Sequence, residues 1–494
     1  MPNSLEPIAR WYSALMNFPD STPEAQGISS SAVLEMLNAL EEQNLEIHGF
    51  MLLRHGFKVA EGAWSPFSLE RPHALYSVSK SFTSSAVGLA VAEGLLSISD
   101  TVLQHFPEHA PLEPSPHLAA MTVRDLLTMT TGHAVDMTTP LWENNEQPWA
   151  KTFLEQPVQY APGTHFVYNS AATHMLAALL ERLSGQPLLE YLRPRLLDPM
   201  GIVGASWATN DEGTALGGWG LSLPLEGLAR LGQLYLQGGV WEGRQILPPG
   251  WAEEATRKQV DNWPSFGSDW EQGYGYQFWR CQHGAYRADG ALGQFIIVMP
   301  RQGAVLTFNS ALYDMQAVLD QVWTHLLPAL GDAPLEPNPS ALEELRQKCQ
   351  HLLVPVVQGQ ITSLLAARVT GQNYRFEPNE VGFESLCLDT LEGRVRLEIR
   401  DTAGDFTLEA GLGAWLEGET GFGTPNHQNP SQVAVCAAWT GEDTLELHIN
   451  HLGRVGTQML CLQFMDGEML LERATKNILF APTPLILHAT LEGE

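Results

Sequence analysis

Lysine is scarce in this chain: among 494 residues there are only Lys58, Lys80, Lys151, Lys258, Lys348 and Lys476. Any motif that needs a lysine can therefore be checked exhaustively. GxxxxGK[ST] fails at all six, which excludes a nucleotide-triphosphate enzyme of that class. Basic residues together number 27 against 56 acidic ones, a formal charge of −29. Such a surface repels phosphate backbones and anionic lipid, so neither nucleic acid nor a membrane is an expected partner. Cysteine is also rare. Cys281, Cys349, Cys387, Cys436 and Cys461 are odd in number, and no two share a CxxC spacing. That excludes a disulfide framework and a zinc knuckle, and leaves all five as small buried apolar residues. No stretch approaches the roughly 18 uninterrupted apolar residues of a membrane span. The N-terminus, MPNSLEPIARWYSALMNF, lacks the basic start, long apolar run and small-residue cleavage site of a secretory leader. A cytoplasmic protein with reduced thiols is the expectation. No GxSxG occurs, which argues against an α/β-hydrolase, and no H-E-x-x-H supports reading His105, His109 and His117 as metal ligands.

What remains is a chain that buries real cores, with 44% hydrophobic and 17% charged residues. Up to about residue 330 helical and strand patterns mix. Gly49–Gly56 reads as an apolar strand closed by a His-Gly turn, with Phe57–Gly62 as its hairpin partner. Ser77–Glu93 carries helix formers without proline, and Gly94 stands where a terminating glycine belongs. Thr122-Val123-Arg124-Asp125 has capping-box spacing. Ala171–Leu183 predicts a further helix, ended near Ser184-Gly185. Gln294–Pro300 and Ala304–Phe308 read as neighbouring buried strands. The segment 331–340 holds three prolines in ten residues and reads as a linker, followed by a helix over about 341–353. Beyond it only strand patterns occur, with a strong hairpin signal at Asp466-Gly467. The expected organisation is a domain over 1–330, a linker and connecting helix over 331–356, and an all-β antiparallel small barrel over 357–494.

One constellation carries chemistry. Ser77-x-x-Lys80 is the only SxxK in the chain. On a helix, i,i+3 spacing places both side chains on one face. A serine hydroxyl needs a base to take its proton, and a lysine serves if desolvation lowers its pKa. The plain alternative is a capping serine beside a surface lysine, so further motifs must decide. Tyr168-Asn169-Ser170 lies about 90 residues on, and Arg287-Ala288-Asp289-Gly290-Ala291 opens the late buried strand.

With these motifs, and with the phrases Thr122–His133, Gly217–Leu221 and Gly232–Gly239, residues 20–325 resemble the SxxK serine hydrolases. That family includes class C β-lactamases, penicillin-binding-protein-like esterases, D-aminopeptidases and nylon-oligomer hydrolases. The resemblance implies an α+β fold, an antiparallel sheet flanked by helices beside an all-helical lobe, with the site between them. It implies Ser77 as the acylated nucleophile, Lys80 as its proton acceptor and Tyr168 as the proton relay. A tyrosine between two cations is expected to have a lowered pKa. The oxyanion would sit on the backbone N–H groups of Ser77 and Ala291, beside Gly290. No metal or organic cofactor is implied. The substrate would be a small amide or ester: a D-aminoacyl peptide, a peptide-like amide or a short acyl ester.

Two departures matter. The family's second motif is usually Tyr-x-Asn, so either Ser170 or Asn169 contacts substrate here, Ser170 being favoured. The third motif usually carries Lys or His before Thr-Gly, whereas here Ala288 precedes Asp289-Gly290. The missing cation argues against efficient β-lactam hydrolysis. If Asp289 faces the cleft it would prefer a substrate ammonium; if it pairs with Arg287 it would not. The alternative class is a penicillin-recognising sensor or a degenerate binding protein without turnover. The stretch Trp142–Trp149 either rims a pocket or simply packs. The C-terminal part more loosely resembles the lipocalin-like barrels appended to some relatives, with Trp415 and Trp439 expected in its core rather than stacked on ligand.

Overall fold

The computed structural model describes residues 18–144, 146–262, 268–424, 430–479 and 482–492. The N-terminal stretch read above therefore lies, except for Phe18, outside the described residues. The chain divides into two compact units. The first comprises residues 1–62, 69–310 and 314–350, and the second 63–68, 311–313 and 351–494. The helix expected to connect them, Pro339–Gln350, instead packs against Ser30–Glu42 within the first unit. Its apolar residues Ala341 and Leu345 explain this: they are buried in that contact rather than left on a free connector.

The first unit is built on a six-stranded antiparallel sheet. Its strands are β1 (Ile47–Arg54), β2 (Phe57–Ala63), β3 (Trp279–Arg280), β4 (Tyr286–Gly290), β5 (Gln294–Met299) and β6 (Ala304–Ser310). They run in the order β2-β1-β6-β5-β4-β3. The expected hairpin β1–β2 forms, and its two turn residues, His55 and Gly56, both adopt positive φ, 51° and 82°. That is the twist a two-residue hairpin demands. β1, β4, β5 and β6 are buried along their whole length, and burial on both faces is why β1, β5 and β6 carry runs of apolar residues rather than alternation.

Four helices position the site or cover the sheet: α1 (Ser30–Glu42), α2 (Ser79–Ala92), α3 (Ser170–Ser184) and α4 (Leu225–Leu236). α2 is composed of small and apolar residues apart from Lys80, and Ser79 through Ala90 are all buried. It can be central because it offers little bulk: Gly88 lies so close to the Trp251 ring that a Cβ would sit 2.5 Å from it. α2 ends as the sequence predicts, with Gly94 at φ 72°. α3 is likewise closed by Gly185 in the left-handed region. The Thr122–Asp125 capping box is formed, each residue's side chain bonding the other's backbone N–H.

The second unit is a closed antiparallel barrel. Ten strands follow in the order of the chain: β7 (Gln372–Phe376), β8 (Phe383–Leu391), β9 (Arg394–Asp401), β10 (Gly404–Leu412), β11 (Leu416–Thr420), β12 (Ser431–Trp439), β13 (Thr444–His451), β14 (Thr457–Phe464), β15 (Glu468–Lys476) and β16 (Leu485–Leu491). The first and last strands pair, and a short parallel pairing of β10 with β12 closes the ring. Alternation fills it: Val395, Leu397 and Ile399 point inward, as do Leu445, Leu447 and Ile449. Trp439 belongs to this core, and Trp415, half-buried, donates its indole N–H to the Val354 carbonyl at 2.8 Å. Of the five cysteines, all free, only Cys281 and Cys436 are buried; Cys349, Cys387 and Cys461 are partly exposed. The last two lie on barrel strands, at positions alternating with the inward residues.

α4 crosses β1, β5 and β6 through Gly232, whose Cβ would meet Val305 at 2.6 Å and Ile296 at 2.7 Å. Gly232→Val therefore overpacks this helix–sheet contact and should cost about 1–3 kcal/mol, read as a lower urea midpoint.

Candidate active site

The site begins with a tight turn. Tyr76–Val78 is a short 3-10 turn leading directly into α2, and it packs on β4 and β5. Tyr76, immediately before Ser77, adopts φ 47°, a conformation that costs a non-glycine residue energy and persists only where its surroundings impose it. The constraint comes from Gly290 at the end of β4. A Cβ there would stand 2.1 Å from the Leu75 carbonyl oxygen and 3.1 Å from the Ser77 nitrogen. Gly290 thus admits the chain's own Leu75–Ser77 turn.

Lys80 lies one helical turn beyond Ser77 and is 1% exposed. Its Nζ is 2.9 Å from Ser77 Oγ, 3.0 Å from Ser170 Oγ and 2.7 Å from the Gly218 carbonyl oxygen. Burial lowers its pKa to about 7, with the Asp136 and Asp289 carboxylates pulling the other way. A neutral amine has two N–H groups and one lone pair. Gly218 and Ser170 can take the two donors, leaving the lone pair for the Ser77 hydroxyl. The geometry thus fits a base as well as an ammonium.

Tyr168 completes the group. Its hydroxyl lies near Ser77, and Lys80 Nζ lies 4.9 Å from its ring centroid. The expected lowering of its pKa does not occur. Burial, helped by the Asp289 charge, pushes the phenol well above its ordinary range, so it holds its proton at neutral pH. Burial outweighs the Arg287 charge, which is also opposed by the Asp289 carboxylate beside it.

The positions assigned to substrate divide. Ser170, favoured as the substrate contact, is the first residue of α3, and its Oγ accepts from Lys80 Nζ. Asn169 does not present its amide for contact: it is fully buried and caps α3, its Oδ1 accepting from Met137 N at 3.2 Å and Ala172 N at 3.4 Å. Asp289 is 7% exposed and pairs with Arg287 Nε at 2.8 Å. Its carboxyl is pushed up by burial and pulled down by that guanidinium. It is no free anion offered to a ligand. Arg287 and Asp289 are two residues apart on one strand, so alternation sets them on the same face, while Ala291 follows at the half-buried strand end.

Two participants were not found from sequence. Asp136 is exposed, accepts from the Ser170 backbone N–H at 3.1 Å, and stabilises the Lys80 charge. Gly218 offers a carbonyl, which no side-chain motif announces; only the glycine-rich phrase Gly217–Gly220 marked the place. A Cβ on Gly218 would sit 2.9 Å from the Ser170 carbonyl oxygen. From the stretch Trp142–Trp149, both tryptophans pack with Trp219, at centroid separations of 5.2–6.3 Å, while Trp142 remains 51% exposed. Asn145 of this stretch lies outside the described residues. His105 is bonded with Asp100 at 3.1 Å, and among the described residues no group of three or more His, Cys, Asp or Glu is arranged to hold a metal ion. Nor, among them, is any helix long and apolar enough to cross a membrane.

An antiparallel sheet with flanking helices, and a serine–lysine–tyrosine group where a helix starts beside an edge of that sheet, define a class of hydrolase. The family described as Beta-lactamase matches residues 37–320, more than half of the chain, and the chain belongs to that family. Among relatives, the 6-aminohexanoate-dimer hydrolase of Paenarthrobacter ureafaciens is 25% identical over 316 residues, 60% of this chain and 80% of that protein. The lovastatin esterase of Penicillium rubens is 27% identical over 164 residues, 28% of this chain and 41% of that protein. Among solved structures, a hydrolase with promiscuous acyltransferase activity, EstCE1, shares the fold at a TM-score of 0.51 and 16% identity, over 59% of this chain and 98% of that one. The protein is a β-lactamase-related hydrolase.

Loss of the Lys80 proton defines the pH dependence of Ser77 reactivity. The rate of Ser77 acylation should rise as pH passes through about 7 and then level off. Asp136→Asn removes a charge that favours the ammonium, so the rising limb should move about 0.2–0.7 pH unit toward acid. Stopped-flow acylation with p-nitrophenyl acetate across pH 5–9 measures both.

Proposed function

We propose that this protein cleaves small amides or esters through an acyl-enzyme on Ser77. The observation that carries the reading is the 2.9 Å contact of a fully buried Lys80 amine, its pKa near neutrality, with the Ser77 hydroxyl. Lys80 takes the proton as Ser77 Oγ attacks the substrate carbonyl carbon. The developing oxyanion is received by the backbone N–H groups of Ser77 and Ala291; a Cβ on Gly290, the residue before Ala291, would stand 3.1 Å from the Ser77 nitrogen. The Tyr168 hydroxyl passes a proton to the leaving nitrogen or oxygen as the acyl bond breaks, and Lys80 returns one to Tyr168. Water then attacks the ester by the same route in reverse, freeing Ser77 and the acid.

The relatives support this class of reaction, since one is named for hydrolysis of an aminohexanoate dimer and another for an esterase activity. Substrate charge follows from what surrounds the nucleophile. Arg287 is committed to Asp289, and Asp136 stands exposed beside Ser170. An acyl donor without a carboxylate near the scissile bond suits this field better than a carboxylate-bearing β-lactam.

Incubation with a fluorophosphonate should give one adduct by intact mass, mapped to Ser77, and Ser77→Ala should lower p-nitrophenyl ester turnover by a factor on the order of 10³ or more. An adduct on another serine, or turnover unchanged in the Ala variant, would overturn the reading.

A further inference from the structure

Asp289 occupies the place where relatives carry the residue beside their third-motif cation, yet it is buried and paired with Arg287. That pair stands against Trp279. β3 pairs with β4 so that Trp279 stands opposite Arg287, and Asp289, two residues on, shares that face. The Arg287 guanidinium lies 5.5 Å from the Trp279 ring centroid, and its Nε donates to the Asp289 carboxylate at 2.8 Å. Arg287 is itself fixed. Its Nη1 donates to the Asp269 carbonyl at 2.7 Å and contacts Cys281 Sγ at 3.2 Å, and its guanidinium lies 4.3 Å from the Trp270 ring centroid.

The far side of this chain of contacts is the catalytic group. Trp279 stacks on Tyr168 with centroids 5.3 Å apart and planes within 25°. Tyr274 meets both rings edge-on, at 4.9 Å from Trp279 and 6.2 Å from Tyr168. Trp279 is 8% exposed. A phenol on two free torsions samples several orientations, and only some leave its hydroxyl on Ser77. A stacked indole that also lies against a fixed guanidinium removes that freedom.

We propose that Trp279, tied by the Arg287–Asp289 ion pair, is a positioning residue for Tyr168: it fixes the plane of the phenol and so keeps its hydroxyl on Ser77. The altered third motif has thereby exchanged a substrate-binding cation for a support of the proton relay. This inference rests on the acyl-enzyme reading above. It separates two steps that reading contains. Attack by Ser77 on a fluorophosphonate expels fluoride, which needs no proton, so it depends on Lys80 and not on the phenol. Turnover of an ester needs the phenol, because water must be deprotonated and Ser77 reprotonated during deacylation.

The test compares, in the full chain, the second-order rate of Ser77 labelling by a fluorophosphonate with kcat and KM for p-nitrophenyl acetate. In Trp279→Leu, kcat should fall about tenfold or more, KM should stay within about threefold, and labelling within about twofold. Trp279→Phe, which keeps a ring on Tyr168, should recover kcat to within about threefold of wild type. Asp289→Asn, which leaves the tryptophan in place but loosens its anchor, should lower kcat about three- to tenfold with labelling again preserved. Wild type that is not labelled on Ser77 overturns the acyl-enzyme reading, and this inference with it. With wild type labelled, unchanged kcat in Trp279→Leu overturns the positioning role alone. So does a parallel fall of kcat and labelling in the Phe and Leu variants, which is the mark of general damage. If Trp279→Leu does not fold, Trp279→Phe and Asp289→Asn decide: kcat falling together with labelling, or not falling in Asp289→Asn, overturns the role.

Discussion

One amine without water organises this active site. A lysine ammonium taken out of solvent is costly unless it finds acceptors, and Lys80 finds three, from a turn, a helix start and a glycine loop. These partners lie up to 138 residues from Lys80 in the chain, so their convergence depends on the packing of α2, α3 and the loop that follows α3. The same desolvation that makes the ammonium costly brings its pKa to about 7. A base with that pKa is half free near neutrality. The stability cost and the catalytic competence have a single origin.

Close backbone approach is the second constraint, and glycine satisfies it at two points. Gly290 lets the nucleophile turn press against β4, and Gly218 lets its carbonyl reach Lys80 past Ser170. Tyr76 meets the same crowding without being glycine, and holds a left-handed φ directly before Ser77. Strain at that residue is sustained by the buried strand and helix on either side of it, which leave the turn no other path.

Electrostatics around the site departs from the pattern of its relatives in a way that burial explains. An arginine and an aspartate two residues apart on a fully buried strand share a face, and neither is stable there alone. They neutralise each other, so neither is presented to a ligand. The phenol of Tyr168 is desolvated, the Arg287 charge near it is offset by Asp289, and it stays protonated. Aromatic rings then take over the work of orientation, with Trp279 and Tyr274 around the phenol.

Much of this was legible in the order of residues. Six lysines made Ser77-x-x-Lys80 unique, and i,i+3 spacing is enough to place its two side chains together on any helix. The caps at Thr122, Gly94 and Gly185, the β1–β2 hairpin and the alternating barrel strands all rest on local chemistry, and each forms where the local signal puts it. The helix over 339–350 was misplaced as a connector because its pattern shows an apolar stripe without saying what covers it. Asn169 stood as the less favoured alternative to Ser170 for substrate contact, but a residue before a helix can spend its amide on the cap, and sequence does not weigh those uses. Tyr168, Asp289 and Asp136 depended on desolvation and on which charge faces which. Burial and pairing are properties of the assembled interior, so only the tertiary structure decided that the phenol keeps its proton, that Asp289 belongs to Arg287, and that a backbone carbonyl at Gly218 is the third partner of the amine.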